Sequence, residues 1–181
     1  MLWHLLCHDI GDSACAAEPE PLLSSERLHN PRTLNHHSML GACATYEGFN
    51  TSLLYMGSVG SHFSWHDEDH LLQSVSYPQS GASKFWFFVP RSEVPKILRI
   101  MSECTDPVLL AAAGGDMWKL LAEKAVLWLA SSFLAHGVRV GFHETKAGDF
   151  DVTGYGVPNS SFNAGTNAAS SVKIACTFGW F

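Results

Sequence analysis

The chain has 181 residues, of which 46% are hydrophobic and 12% aromatic, and this predicts one globular domain with a sizeable core. The net charge is −6 and no run of Lys and Arg stands out, which argues against a direct nucleic-acid footprint. The five cysteines are widely spaced without a Cys-x-x-Cys pair, which argues against a disulfide framework and a cysteine-based zinc site and favours a reducing compartment.

Residues 1 to about 35 are weakly patterned, and we expect residues 1–46 to form an extension that packs on a core formed by residues 47–181. Residues 1–8 lack the basic flank and the long apolar stretch of a signal peptide. No apolar run reaches the ~18–20 residues of a membrane span, so we expect an intracellular protein. Residues 17–21 hold two prolines and are predicted to be an exposed loop. His36-His37 invites a metal site, but a solvated pair in a polar stretch is the simpler interpretation.

From Asn50 onwards the sequence has the texture of β-strands. Short apolar or alternating runs bounded by turn residues predict strands at 52–57, 59–65, 71–77 and 84–89, with a turn at 78–81. Several short strands in quick succession favour a sandwich or barrel.

The pattern changes to a helical period at about residue 92. Ser92 can cap a short helix, and Asp116 can cap a longer one that ends at Gly137. Trp118 and Trp128, on this segment, are expected to pack in the core. The sequence therefore predicts a helical insert at about 92–137.

Strand patterns return after Gly141. The turn at 147–150 leads into a strand that reaches residue 153, and residues 172–178 form a final strand. Residues 154–167 are rich in Gly, Asn and Ser and are predicted to be a loop.

A His-x-Glu motif, His66 and Glu68, follows the second predicted strand. Residues two apart in a strand point to the same face, so both side chains can reach one metal ion while Asp67 turns away. One imidazole and one carboxylate are two thirds of the facial triad of non-haem Fe(II) oxygenases. A solvated acidic turn is the alternative. His62 and His70 lie four residues from His66, about 13 Å along a strand, and are better explained as surface or supporting histidines.

Several short blocks of the sequence occur in one order. They are Thr51-Ser-Leu-Leu-Tyr-Met-Gly, Phe63-Ser-Trp-His-Asp-Glu-Asp-His, Ser74-Val-Ser-Tyr, Gly81-Ala-Ser-Lys-Phe-Trp-Phe, Leu134-Ala-His-Gly-Val, Ala147-Gly-Asp-Phe and Phe162-Asn-Ala-Gly-Thr-Asn. Together they resemble the JmjC (Jumonji C) family of Fe(II)- and 2-oxoglutarate-dependent oxygenases, which includes histone lysine demethylases. The resemblance covers about residues 47–175.

The resemblance implies a mainly β fold, a double-stranded β-helix (jelly roll, cupin-like) with the helical insert. Active members hold Fe(II) with His, an acidic residue and a second His, and they bind 2-oxoglutarate on the iron and on a basic residue. His66 and Glu68 match the first two iron ligands, and Lys84 matches the lysine that pairs with the far carboxylate of 2-oxoglutarate. Ser76 stands where many demethylases have Asn near 2-oxoglutarate.

The resemblance also implies a substrate pocket for methyl-lysine. Tyr55 matches a residue that lines the methyl-ammonium pocket in demethylases, and we assign Ser171 to the same pocket. Lys173 stands where some members have a small polar residue, and a cation there repels methyl-lysine.

The third iron position departs from the family pattern, because Asn159 stands where the second His is expected. Realignment does not change this, since the last histidine of the chain, His143, precedes the ligand-bearing strand. An amide oxygen is a weaker, neutral ligand than imidazole for Fe(II), so weak iron binding or water in the third position is expected.

Three functions remain open at this point. The first is a JmjC oxygenase with Fe(II) and 2-oxoglutarate that acts on protein, such as methyl-lysine of a histone tail, with an impaired metal site. The second is an inactive JmjC-like scaffold or chromatin-binding module. The third is a cupin-type metalloprotein with another metal. The resemblance implies a nuclear location, whereas the oligomeric state stays open.

Overall fold

The computed structural model describes residues 15–19 (backbone only), 46 and 49–175. The pair His36-His37 lies outside this part of the chain, and so does most of the expected extension. The strands of the described residues are β1 (Cys15–Pro19), β2 (Leu53–Gly57), β3 (His62–His66), β4 (Gln73–Gly81), β5 (Lys84–Phe88), β6 (Gly141–Thr145), β7 (Asp151–Thr153), β8 (Asn159–Asn163) and β9 (Asn167–Ile174).

These strands form two antiparallel sheets. One sheet has the order β1-β2-β9-β4-β7 and the other has the order β3-β8-β5-β6. Strands that are distant in the sequence are therefore neighbours in space, as in a jelly roll. The predicted mainly β, cupin-like fold with a helical insert is confirmed.

Helices occupy the segment between β5 and β6. They are α1 (Val94–Cys104), α2 (Pro107–Ala112), α3 (Met117–Ala122) and α4 (Ala130–Ala135). Short 3-10 turns lie at Asp69–Leu71 and Arg91–Glu93. The Asp116 carboxylate accepts hydrogen bonds from the N–H groups of Trp118 and Lys119, so the predicted N-cap of α3 is confirmed.

The main hydrophobic core lies between the helices and one end of the sandwich. Trp65 of β3 and Val89, next to β5, belong to this core together with buried side chains of α1, α3 and α4, and the half-buried Leu110 of α2 packs against it. The Trp65 indole donates a hydrogen bond to the Trp128 carbonyl at 2.8 Å, and its ring contacts Phe133 edge to face. Trp128 also packs on this core, as the sequence predicts.

The strands themselves bury many polar side chains. These include Ser74, Ser76, Lys84, Asn159, Ser161, Asn163, Asn167 and Ser170. Asn163 is central to this set, since it donates to Ser61 Oγ and accepts from the Asn167 amide, each at 2.8 Å. A Cβ on Gly57 would lie 2.2 Å from Asn163 Nδ2, so this network requires glycine at position 57.

Three predicted segments are wrong for related reasons. Residues 154–167 contain β8, whose Asn and Ser side chains are buried among other polar groups and so give the sequence a loop-like composition. The turn expected at 78–81 belongs to β4, which continues past Pro78 through an irregularity in its pairing with β9. Part of the expected loop at 17–21 is β1, an edge strand, where proline is tolerated.

The long helix expected from Asp116 to Gly137 is also wrong. The chain leaves the helix after Ala122, and Lys124 has a left-handed backbone with φ of 55°. An amphipathic pattern cannot reveal this break, because the residues on both sides of it still pack on one core.

Candidate functional site

The two sheets bring nearly all of the predicted site residues around one cavity of about 90 Å3. Its lining includes Tyr55 from β2, His66 at the end of β3, Glu68, Ser76 from β4, Lys84 from β5, and Ser171 and Lys173 from β9. Asn159 of β8 pairs with His66 in the sheet but does not line this cavity.

His66 is buried and prepared to act as a neutral imidazole. Its Nδ1 lies 2.7 Å from the Ser64 carbonyl, which only accepts hydrogen bonds, so Nδ1 carries the proton and Nε2 keeps its lone pair. Burial lowers the pKa of His66, and this outweighs the opposing effect of the Glu68 carboxylate. Nε2 lies 3.8 Å from Glu68 Oε1, so the two groups converge as the sequence predicts.

The carboxylate of Glu68 is already engaged by Lys173. The Lys173 ammonium contacts Glu68 Oε2 directly, and it also lies 3.6 Å from Asp69 Oδ2. Glu68 and Lys173 are 105 residues apart in the sequence, and β9 brings the lysine across the cavity. One buried negative charge is thus compensated by a positive charge of the protein itself.

Asn159 presents its amide nitrogen, not its oxygen, to Glu68. Nδ2 lies 3.5 Å from Glu68 Oε1, 3.5 Å from the His66 carbonyl and 3.4 Å from the Val157 carbonyl. A flipped amide would place Oδ1 against three acceptors, which favours the observed orientation. Oδ1 is buried and has no hydrogen-bond partner within the described residues.

This donor set does not fit Fe(II). The facial triad needs two imidazoles and one carboxylate with free lone pairs. Here one imidazole is available, the carboxylate is paired with an ammonium, and the third position offers an amide nitrogen, which is not a metal ligand. Within the residues that the structure describes, no three His, Cys, Asp or Glu side chains are grouped so as to hold a metal.

Cationic and aromatic side chains also line this cavity. Lys84 is 7% exposed, and its Nζ lies 4.6 Å from the Trp86 ring centroid and 4.8 Å from that of Phe63. Lys124 also lines the cavity, 5.9 Å from the Phe63 ring, and sequence reasoning misses it. It comes from the helical insert at the left-handed position, and local sequence carries no signal for that approach.

The remaining residues of the His-x-Glu stretch have supporting positions. Burial raises the pKa of Asp67 to about 6, and its Oδ1 accepts the Glu68 N–H at 2.9 Å. His70 is exposed and contacts the Phe49 ring edge to face.

The chain is similar to one protein family and to several known proteins. The family model described as "JmjC domain, hydroxylase" matches residues 53–174. The chain is 28% identical over 177 residues to lysine-specific demethylase JMJ706 of Oryza sativa subsp. japonica, which covers 96% of the chain and 20% of that protein. It is 33% identical over 163 residues to lysine-specific demethylase 5D of Homo sapiens, which covers 90% of the chain and 10% of that protein.

A third relative is lysine-specific demethylase 5B of Gallus gallus, 29% identical over 163 residues, with 90% of the chain and 10% of that protein covered. The chain thus spans a fifth or less of the length of these three relatives. Among the described residues, no helix is long and apolar enough to cross a membrane.

Proposed function

This chain belongs to the JmjC domain family, and on that premise we propose that it is a demethylase-like JmjC domain that binds a protein ligand without oxidising it. One observation carries the proposal. Both oxygens of Glu68 face nitrogen atoms of the protein, Lys173 Nζ and Asn159 Nδ2. The carboxylate that an iron ion would need is therefore satisfied without an ion.

The protein ligand is inferred from the relatives, which are named as lysine-specific demethylases. A histone tail and a nuclear location follow from the same likeness. Tyr55 and Ser171 line the cavity and are the residues that we expect a side chain of the ligand to contact. Lys173 also lines it, but its charge is balanced by Glu68 and Asp69, so its repulsion of a methyl-ammonium group is reduced.

Lys84 and Ser76 on the lining of the cavity support the binding of 2-oxoglutarate. Lys84 of β5 supplies a buried ammonium, and Ser76 of β4, in the other sheet, supplies a buried hydroxyl to the lining of the same cavity. An ammonium held in a poorly solvated place binds a carboxylate by a charge-assisted hydrogen bond. We infer that 2-oxoglutarate binds as a ligand and is not consumed.

The test uses the purified full chain under anaerobic conditions. We expect 2-oxoglutarate to bind with similar affinity in the presence of Fe(II) and in the presence of a chelator. On admission of air with Fe(II) and methylated histone-tail peptides, we expect succinate and formaldehyde to stay at the level of a protein-free blank. A relative with the complete ligand set, assayed in parallel, shows that the conditions allow turnover.

A second function, Fe(II)- and 2-oxoglutarate-dependent oxygenation with a weakened metal site, is favoured by one feature. His66 Nε2 and Glu68 Oε1 lie on one face, 3.8 Å apart, with the imidazole in the tautomer that metal binding needs. When bound, the ion would supply activation of oxygen. Succinate release above the blank, together with retention of stoichiometric iron, would establish this function and overturn the non-catalytic one.

A further inference from the structure

The cavity of the candidate site carries two lysines besides the one that pairs with Glu68. Lys84 and Lys124 both line it, and the ring of Phe63, also on the lining, is close to both. The Nζ of Lys84 lies 4.8 Å from the centroid of this ring, and the Nζ of Lys124 lies 5.9 Å from it. The two ammonium groups therefore cannot be further apart than the sum of these two distances.

The two lysines reach the cavity from different directions. Lys84 begins β5, four residues before Phe88. The strand registers place Phe88, Asn159 and His66 in one row. At about 3.3 Å per residue, the backbone of Lys84 lies about 13 Å along the strands from this row. Lys124 comes from the helical insert and lies on the His66 side, since its charge adds to the effect of burial in lowering the pKa of His66.

The two lysines also differ in depth. Lys84 is 7% exposed, whereas Lys124 is exposed, so one ammonium lies inside the cavity and the other lies at its open side. Lys173, by contrast, is engaged by the carboxylates of Glu68 and Asp69, which also line the cavity. Lys84 and Lys124 thus bring two further positive charges to the lining, at two depths.

We propose that this cavity binds short dicarboxylates as a class, with one carboxylate on Lys84 and the other on Lys124. An extended five-carbon diacid spans about 5 Å between its carboxyl carbons at ordinary C–C bond lengths, and a charge-assisted hydrogen bond adds about 2.8 Å at each end. Such a molecule can bridge any separation that the two distances to Phe63 allow. The inference rests on the proposed function, because it concerns the same cavity without an ion.

The 2-oxo group contributes little to binding in this chain. A 2-oxo acid chelates a metal ion through its keto oxygen and the adjacent carboxylate, and this advantage requires the ion. The donor set of His66, Glu68 and Asn159 does not fit Fe(II). The ammonium of Lys124 binds a carboxylate whether or not a keto group is next to it. Glutarate, which has the length of 2-oxoglutarate and no keto group, should therefore bind equally well.

Isothermal titration of the purified full chain in the presence of a chelator tests the proposal. We expect the affinities for glutarate and 2-oxoglutarate to agree within about threefold. Butyrate, which has a single carboxylate, should bind about tenfold or more weakly than glutarate. Inorganic phosphate should also bind about tenfold or more weakly, because a compact anion does not reach both ammonium groups.

Variants of Lys124 separate the two carboxylates. Lys124→Met should weaken glutarate and 2-oxoglutarate by about tenfold and leave butyrate unchanged, because butyrate engages Lys84 alone. Lys124→Arg keeps the positive charge and should retain most of the affinity. Lys119→Met is the matched control, since Lys119 is an exposed lysine of α3 that pairs with Glu123 and does not line the cavity.

Different results overturn the dicarboxylate proposal and the proposed function. The dicarboxylate proposal is wrong if 2-oxoglutarate binds without metal but glutarate binds more than about tenfold more weakly, if phosphate matches glutarate, or if Lys124→Met changes neither dicarboxylate affinity. Release of succinate from 2-oxoglutarate with Fe(II) in air overturns the proposed function. An absence of any dicarboxylate binding without metal overturns both. If Lys124→Met does not fold, the comparison of glutarate, butyrate and phosphate on the wild-type chain decides alone.

Discussion

Restoring a metal site should require two substitutions, not one. Asn159→His supplies the missing imidazole, and Lys173→Met removes the ammonium from Glu68 while keeping a side chain of similar length. We expect each single variant to gain little affinity for Fe(II). We expect the affinity of the double variant for Fe(II) to rise by a factor that exceeds the product of the two single-variant factors by about tenfold or more.

The magnitude follows from the charge geometry. An ion on Glu68 would lie about 4 Å from an ammonium that contacts the same carboxylate, and two unit charges at this distance repel by about 4 kcal/mol at an effective dielectric constant of 20. A divalent ion doubles this to about 8 kcal/mol. Water in the open cavity screens much of it, but about 1.4 kcal/mol already changes affinity tenfold.

Isothermal titration with Fe(II) under anaerobic conditions measures the four chains of this cycle, and circular dichroism checks their folding. Lys124→Met is the matched control, because it removes a cation that lines the same cavity without freeing Glu68. If Asn159→His alone bound Fe(II) as tightly as the double variant, Lys173 would not be the obstacle and the reasoning would be wrong.

Three further predictions follow from the site and the core. Lys84→Met should weaken the binding of 2-oxoglutarate by about tenfold or more, measured by titration in the presence of a chelator, whereas substitution of the exposed Lys119 by Met should not. Equal affinities of the two variants would show that Lys84 does not bind 2-oxoglutarate. Phe133→Ala should lower the free energy of unfolding by about 3–5 kcal/mol in urea denaturation, since Phe133 is 0% exposed and contacts both Trp65 and Trp128; a loss below about 1 kcal/mol would contradict this packing. Burial raises the pKa of Asp151 in the folded state, so the folded chain holds a proton at pH values where the unfolded chain has already released it. The free energy of unfolding of the wild type, relative to that of Asp151→Asn, should therefore fall as pH rises from the ordinary Asp pKa through the raised one. A difference between the two chains that stays constant between about pH 4 and 8 would refute this.

The sequence was most informative where function or packing depends on local spacing. The two-residue period predicts that His66 and Glu68 converge, and the structure has them 3.8 Å apart. The family blocks predict one site for Lys84, Ser76 and Tyr55, and all three line the same cavity. The sequence does not predict the ion pair of Glu68 and Lys173. The two residues are 105 apart in the sequence, and their contact depends on the pairing of β9 with its neighbours. The roles of these residues stay predictions.

The sequence also carries no local signal for the pairing of β5 with β6 and β8. Asp151 and Asn159 belong to β7 and β8, and the Asn and Ser content of β8 predicts a loop where the structure has a strand. Only the antiparallel registers show that Asn159 lies opposite Phe88, and His143 opposite Trp86. Cavities formed between sheets depend on such non-local register.

The separation of the hydrophobic core from the polar cavity has an evolutionary consequence. The helices and Trp65 supply a compact apolar centre at one end, while the residues that give the cavity its chemistry lie between the sheets. An ancestral ligand set can then drift, one position at a time, while the scaffold continues to fold. Substitutions in the cavity can therefore change the activity of such a domain without destabilising its hydrophobic core.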